Sequence, residues 1–222
     1  MTAPDFAFRP QLAEDVARYV RRRIFDGTYA AGQYIRLDQL AAELGVSVTP
    51  VREALFVLSA EGLLSQQPRR GFVVVPVTGR DLTDVANVQA HIGGELAARA
   101  AVNITDEQLR ELEKIQTELE DAYASDDDDR AVRLNHEFHK AINLAADSPK
   151  LAQLMSQITR YAPESVFPTI AGWPEQSTEH HRKLLAALEQ RDEHLARISM
   201  SEHLAAGAAP LIEHLTQSGL VD

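Results

Sequence analysis

The chain has 222 residues, of which 45% are hydrophobic and 25% charged, a composition typical of a globular protein with one large or two small domains. It contains no cysteine. Disulfides, thiolate metal sites and cysteine nucleophiles are therefore excluded, so that any metal must use histidine, carboxylate, amide or water ligands. The sequence shows neither a signal-peptide pattern nor a run of 18 apolar residues, and we expect a cytoplasmic protein with no membrane partner.

The charge is distributed unevenly along the chain. The formal net charge is −11, from 22 basic and 33 acidic residues. Residues 1–76 hold nine basic and eight acidic residues, whereas residues 77–222 hold the other 13 and 25. This asymmetry predicts two domains with different partners, one over residues 1–76 and one over residues 78–222.

The first domain opens with an amphipathic helix, "QLAEDVARYVRRRIFDG", which ends at Gly27. Three arginines, Arg18, Arg21 and Arg22, share a face of this helix away from its apolar stripe. Such a face either contacts DNA phosphates or is simply solvated, and the helix alone does not decide between the two.

Two short helices and a hairpin follow. "LDQLAAELGVSVTPVREALFVLSAEGLL" predicts two helices joined at a tight turn around Gly45, a helix-turn-helix. Thr49 is the expected N-cap of the second helix, and Pro50 its first residue. "LLSQQPRRGFVVVPV" predicts a β-hairpin, or wing, with two arginines at its tip. The candidate DNA contacts are Arg18, Arg22, Arg36, Ser47, Thr49, Arg52, Arg69, Arg70 and Gly71.

The stretch "GTYAAGQYIRLDQLAAELGVSVTPVREALFVLSAEGLLSQQPRRGFVV" resembles the N-terminal domain of the GntR family of bacterial transcription regulators. The resemblance covers nearly all of residues 10–76 and implies a winged helix-turn-helix that binds double-stranded operator DNA. Val48 stands where the family often has an arginine, so one base or phosphate contact is missing.

Residues 78–222 predict only helices. We expect six of them, over about 78–101, 105–124, 128–146, 148–161, 175–190 and 192–216, with a proline-containing loop over 162–174. The fold class is therefore mainly α, with an N-terminal winged helix-turn-helix and a C-terminal six-helix bundle.

Histidines are the notable polar residues of this bundle. Asn135 and His139 in "NHEFHKAI" are four residues apart, so they share a helix face. His181 lies on the leucine-rich face of the fifth helix, and His203 lies on the apolar face of the sixth with Leu195 and Met200. His180, His194 and His214 are expected to point outward. Three inward imidazoles are either hydrogen-bonded core residues or ligands of one shared metal, for which Zn²⁺ or Ni²⁺ is suited.

"NHEFH", "HRKLLAALEQRD" and "MSEHL" resemble motifs of the FCD effector-binding domain found in the FadR subfamily, in its six-helix VanR-type branch. The resemblance covers about residues 78–216. It implies a homodimer, a small carboxylate effector, and Asn135, His139, His181 and His203 as metal ligands. Asn135 replaces the commoner aspartate and leaves a divalent site with charge +2, which should weaken metal binding and attract an anionic effector.

The family commonly places an arginine and a glutamate on the first helix of this domain to line the pocket. A gapless alignment of "VQAHIGGELAARAA" puts Gln89 and Gly93 at these positions, so the arginine clamp is absent. Arg133 or Arg160 could replace it, and His91 could face the ligand, but each could equally be a surface side chain.

We therefore interpret the chain as a ligand-responsive transcription regulator, a repressor, whose second domain binds a divalent metal and a small organic acid. One alternative is an enzyme in which His139, His181 and His203 hold a metal-activated water. No carboxylate in these motifs is placed as a general base, which disfavours it. The other alternative is a DNA-binding protein whose histidines are purely structural.

Overall fold

The computed structural model describes residues 10–68, 70–161 and 164–221. It divides into two compact units, and the boundary lies between Thr78 and Gly79. The chain from Thr216 onward belongs to the first unit rather than to the second. The described helices and strands confirm the predicted fold class, helical with a small sheet.

The first unit contains three helices and a three-stranded antiparallel sheet of order β1-β3-β2. The elements are α1 (Pro10–Phe25), β1 (Tyr34–Ile35), α2 (Leu37–Leu44), α3 (Val48–Ala60), β2 (Leu64–Gln67) and β3 (Gly71–Val74). Val20, Leu55, Leu58 and Phe72 are among the fully or nearly fully buried residues of its core. The predicted helix-turn-helix and wing are thus both present.

The turn between α2 and α3 is tight because Gly45 adopts φ +65°, a left-handed conformation that glycine reaches without strain. The predicted cap of α3 is wrong by two positions. Ser47 occupies the N-cap position without a capping hydrogen bond from its side chain, and Thr49 lies within the helix. Pro50 remains in the first turn, where its missing N–H removes no helical hydrogen bond.

Strand β1 was not predicted, because two residues carry no detectable periodicity. It pairs Ile35 with Phe72 of the wing. Gly71 has φ +97°, and a Cβ atom there would lie 2.6 Å from the Ile35 carbonyl oxygen. Gly71 therefore has a structural role at the base of the wing, independent of any DNA contact.

The second unit is all-helical. Its α-helices are α4 (Gly79–Asn103), α5 (Asp106–Ala124), α6 (Asp128–Ala145), α7 (Pro149–Ile158), α8 (Trp173–Glu189), α9 (Glu193–Ala206) and α10 (Ala208–Gln217), of which the last two residues belong to the first unit. Thr105 and Gln108 form a capping box at the start of α5. Gly93 and Gly94 let α4 lie close to α9, since a Cβ atom at either would overlap with side chains of that helix.

The described part of this unit has seven α-helices rather than six, because the predicted sixth helix is interrupted at Gly207. Pro210 lacks the N–H that would bond the carbonyl of Ala206, so one continuous helix is disfavoured. The predicted loop 162–174 includes a 3₁₀ helix over Glu164–Thr169. None of the helices in the described residues has the length and apolar character needed to cross a membrane.

Candidate DNA-contact surface and metal centre

The N-terminal part of α3 presents the predicted recognition residues to solvent. Ser47, Thr49 and Arg52 are all exposed. Val51, Ala54 and Leu55 on the opposite face are fully buried and hold α3 in the core. The helix can therefore offer a hydroxyl-rich turn and one guanidinium without losing its packing.

The other candidate contacts lie on three different elements. Arg18 and Arg22 are exposed on α1. The Nη1 atom of Arg18 lies 3.4 Å from the Oδ1 atom of Asp15. Arg36 is exposed immediately before α2, and Arg70 is exposed in the turn between β2 and β3. Arg69 lies outside the described residues.

Arg21 is not a phosphate contact, contrary to the sequence interpretation of its helix face. It is only 9% exposed, and its guanidinium donates to both carboxylate oxygens of Glu61 at 2.8 Å. This ion pair joins α1 to the end of α3. Arg21 therefore stabilises the helix-turn-helix from within.

Three histidines from three helices converge in the second unit. His139 lies on α6, His181 on α8 and His203 on α9. The Nε2 atom of His203 is 3.2 Å from the Nε2 atom of His181 and 3.2 Å from that of His139. His181 and His203 are buried and His139 is half-buried, as predicted from the helix faces.

Gln116, which the sequence interpretation missed, orients His181. Its Oε1 atom lies 2.7 Å from His181 Nδ1, and its Nε2 atom donates to Glu120. Arg182 in turn donates two hydrogen bonds of 2.7 Å to Glu120. The Glu120 carboxylate only accepts, so Gln116 must turn its oxygen towards His181, whose Nδ1 then carries the proton. The signal for Gln116 was its place as the polar residue between Leu112 and Leu119 on the buried face of α5.

This arrangement leaves the Nε2 lone pair of His181 facing the other two imidazoles. Burial lowers the pKa of His181 and of His203 well below the usual range, and the neighbouring histidines lower them further. Both rings are therefore neutral at neutral pH, the form that binds metals. In a tetrahedral zinc site with Zn–N bonds of ~2.0–2.1 Å, ligand nitrogens are about 3.3–3.4 Å apart. The two Nε2 separations of 3.2 Å from His203 are close to this spacing, so the donor set fits such an ion.

A cavity of about 420 Å³ lies beside the cluster. His139, His203 and Asn135 line it, and Asn135 lies one helical turn before His139. The ring of Phe138 stacks on His181 with centroids 4.2 Å apart, which fixes the imidazole plane from the other side. A metal held by the three histidines would therefore be within reach of a molecule in this cavity.

The structure brings only one of the four candidate effector residues to the cavity. Gln89 lines it, and its amide donates to the Ile158 carbonyl oxygen. His91 and Arg133 are exposed, and the Nε atom of Arg133 lies 3.9 Å from the Oε1 atom of Glu137. Arg160 is not among the described residues that line the cavity. Lys140 and Asn143 line it instead. Asn143 was detectable from the sequence, since it lies four residues after His139 on the same helix.

Two expectations about the neighbouring side chains are wrong. His180 does not point outward: it is half-buried, and its ring centroid is 5.7 Å from that of His203. Leu195 is 39% exposed, so it does not lie on the buried face of α9 with Met200, which is 1% exposed. His194 is exposed, as predicted, and His214 is half-buried.

Known families match both units. The family "Bacterial regulatory proteins, gntR family" matches residues 12–74, and the FCD domain matches residues 84–206. The HTH-type transcriptional regulator McbR of Escherichia coli is 28% identical over 206 residues, which are 91% of this chain and 93% of McbR. The HTH-type transcriptional repressor RspR of the same organism is 25% identical over 198 residues, 86% of this chain and 85% of RspR.

A solved structure of Escherichia coli McbR/YncC is similar as well. Its TM-score is 0.74 at 27% sequence identity, and the match covers 92% of this chain and 98% of that one. A winged helix-turn-helix followed by a helical ligand-binding domain defines a class of one-component transcription regulators. The chain belongs to the GntR family and carries an FCD domain, with FadR-like structures as its relatives.

Family membership confirms the broad reading of the sequence. The helix-turn-helix of this family implies binding to operator DNA, and the FCD domain implies a small-molecule effector. The matching families and these relatives are transcription regulators and not enzymes, which sets aside the enzymatic alternative.

Proposed function

We propose that the protein is a homodimeric repressor whose affinity for its operator is controlled by a small carboxylate bound at a metal. The observation that carries the proposal is that the Nε2 atoms of His139 and His181 each lie 3.2 Å from that of His203, beside a cavity. Because the proton of neutral His181 lies on Nδ1, its Nε2 lone pair faces the Nε2 atom of His203 and is available to a metal.

For the DNA side, Ser47, Thr49 and Arg52 on α3 read the base edges, and other arginines of the first unit contact phosphates. These are Arg18, Arg22, Arg36, Arg69 and Arg70, with the backbone of Gly71. Two copies of the winged helix would bind a pseudo-palindromic operator. Because the target is chromosomal DNA of a bacterium, the protein acts in the cytoplasm.

For the metal, His139, His181 and His203 supply three nitrogen ligands and Asn135 supplies an amide oxygen. This set of borderline nitrogen donors with one oxygen suits Zn²⁺, with Ni²⁺ as the other candidate. The metal supplies a positive charge that binds the effector carboxylate. Because Asn135 is neutral, the full charge of +2 remains to attract the anion.

The effector regulates by preferring one arrangement of the DNA-binding units. A ligand shifts such an equilibrium only by its difference in affinity for the two arrangements. Relief of repression requires that the acid-bound arrangement binds the operator less tightly. The repressor RspR among the relatives supports this sign of regulation.

The test is to titrate organic acids into Zn²⁺-loaded and chelated full-length protein, by calorimetry and by operator gel shift. We expect an acid that binds only the metal-loaded form and weakens operator binding in proportion to its occupancy. Asn135→Asp should bind the metal more tightly and the acid more weakly, because the added negative charge favours one and opposes the other. Acid binding that is the same in both forms would refute the role of the metal.

A further inference from the structure

The chemistry of the cavity wall limits which acids can enter. Fifteen of the 25 described residues that line the cavity are apolar or glycine. They come from several helices and include Leu82, Val85, Met155, Phe167, Trp173 and Leu211. A wall of this kind favours a ligand that buries apolar surface.

The polar groups of the wall are concentrated on α6 and at the metal ligands. α6 supplies Asn135, His136, His139, Lys140 and Asn143. On α4 the polar lining residue is Gln89, and its amide already donates to the Ile158 carbonyl oxygen. Thr159 likewise donates its hydroxyl to the Ser156 carbonyl oxygen. The polar residues of the wall therefore lie mainly on the side of the cavity that holds the metal ligands.

Positive charge in the cavity wall also lies on the side that holds the metal ligands. Lys140 is the one lysine or arginine among the described residues that line the cavity, and it neighbours His139 in sequence. A second carboxylate placed against α4 or α10 would have no cation to pair with, and burying an unpaired charge is costly. The strongly acidic composition of residues 77–222 adds to the repulsion of a dianion.

We infer that the effector is an amphiphilic monocarboxylate, with one carboxylate head at the metal and an apolar body that fills the cavity against α4, α7 and α10. The inference rests on the proposed metal–carboxylate contact and goes beyond it by naming the class of acid. The volume of about 420 Å³ accommodates roughly a dozen water-sized groups, at ~30 Å³ each. Short polar acids and dicarboxylates are thereby disfavoured.

Four probes that differ in one feature each test the inference: octanoate, octanedioate, butyrate and octan-1-ol. With Zn²⁺-loaded protein, octanoate should bind most tightly. Octanedioate should bind on the order of 100-fold more weakly, because its second carboxylate meets the apolar wall. Butyrate should lose about fourfold for each missing methylene. Octan-1-ol, which lacks the charged head, should bind at least about tenfold more weakly than octanoate.

The chain offers its own optical readout besides calorimetry. Its single tryptophan, Trp173, lines the cavity, and its ring centroid is 5.9 Å from that of His203. Octanoate binding should therefore change the tryptophan fluorescence, and saturation of this change should report the same affinity.

A pair of variants on α4 separates the cavity from the helix surface. Val85 is half-buried in the cavity wall, whereas Val88 on the same helix is 47% exposed and does not line the cavity. Val85→Asp should weaken octanoate binding by on the order of tenfold or more. Val88→Asp should leave it within about twofold, since exposed substitutions have small effects.

The outcomes distinguish this inference from the proposed function. Octanedioate or butyrate binding as tightly as octanoate, in a metal-dependent manner, would overturn the apolar body and leave the metal–carboxylate contact standing. Octanoate and octan-1-ol binding equally, with or without Zn²⁺, would overturn the contact with the metal. Equal effects of Val85→Asp and Val88→Asp, or no binding of octanoate to the folded Zn²⁺ protein, would overturn the inference itself.

Discussion

The two units place their functional side chains in opposite ways. In the first unit Ser47, Thr49 and Arg52 are exposed and lie within two turns of one helix. In the second unit the candidate ligands are largely buried and come from α6, α8 and α9. A surface that reads DNA can be built locally, whereas a site that encloses a metal requires several helices to pack around it.

The difference extends to charge and hydrogen bonding. The first unit keeps arginines in water, where they stay charged and available to phosphates. The second keeps His181 and His203 out of water, so that they stay neutral and available to a metal. Arg21 and Gln116 support these arrangements from within, through Glu61 and His181 respectively.

The largest effect should come from the metal ligands. His139→Ala should reduce the metal content from about one ion per chain to almost none, because three-histidine sites rarely survive the loss of a ligand. Elemental analysis of the purified protein measures this. His194→Ala, an exposed histidine on α9, is the matched control and should keep its metal. Equal metal content in both variants would show that His139, His181 and His203 are structural residues and not metal ligands.

The next largest effect should come from the buried ion pair between Arg21 and Glu61 in the first unit. The side chains of Arg21 and Glu61 are only 11% and 12% exposed, so Arg21→Ala breaks a buried ion pair by removing its cation. We expect the first unit to lose about 3–5 kcal/mol of unfolding free energy. Hydrogen exchange of α1 and α3 amides measures the loss.

Arg22→Ala is the control for this change, since Arg22 is the exposed neighbour. It should weaken operator binding and leave exchange in α1 and α3 almost unchanged. If the two variants had the same effect on exchange, the division of these arginines into structural and DNA-binding roles would fail.

An intermediate effect is expected at the recognition helix. Arg52→Ala should weaken operator binding by roughly 1–3 kcal/mol and relax specificity at one base position. Arg70→Ala in the wing should weaken binding to all sequences and lower the salt dependence by about one phosphate contact. Gel shifts at several salt concentrations distinguish them. An unchanged footprint and affinity in both variants would contradict the assigned DNA surface.

The last effect concerns the hydrogen bond by which Gln116 orients His181 in the second unit. Gln116→Leu removes the acceptor of the His181 Nδ1 proton and should lower Zn²⁺ affinity by roughly 10–100-fold, about 1.4–2.7 kcal/mol. Competition with a chromogenic chelator measures the affinity. Gln153→Leu, an exposed glutamine on α7, should leave it unchanged. Restoration of affinity by Gln116→Glu would show that Gln116 acts as an acceptor rather than as packing.

The sequence by itself determined the parts of this protein that depend on neighbours along the chain. The helix-turn-helix, the wing, the capping box at Thr105 and the histidine-bearing helix faces follow from spacing and local propensity. The inward orientation of His139, His181 and His203 was predictable for the same reason, since a helix face is fixed by its period.

Only the tertiary structure decided what depends on contacts between distant segments. The pairing of Arg21 with Glu61, the contact of Gln116 with His181 and the apolar wall beside His139 join residues that lie far apart in sequence. The half-buried position of His180 beside His203 likewise depends on the packing of α8 against α9. Periodicity shows which face of a helix is buried but not which side chain it meets there, because that choice is made by the packing of the whole core.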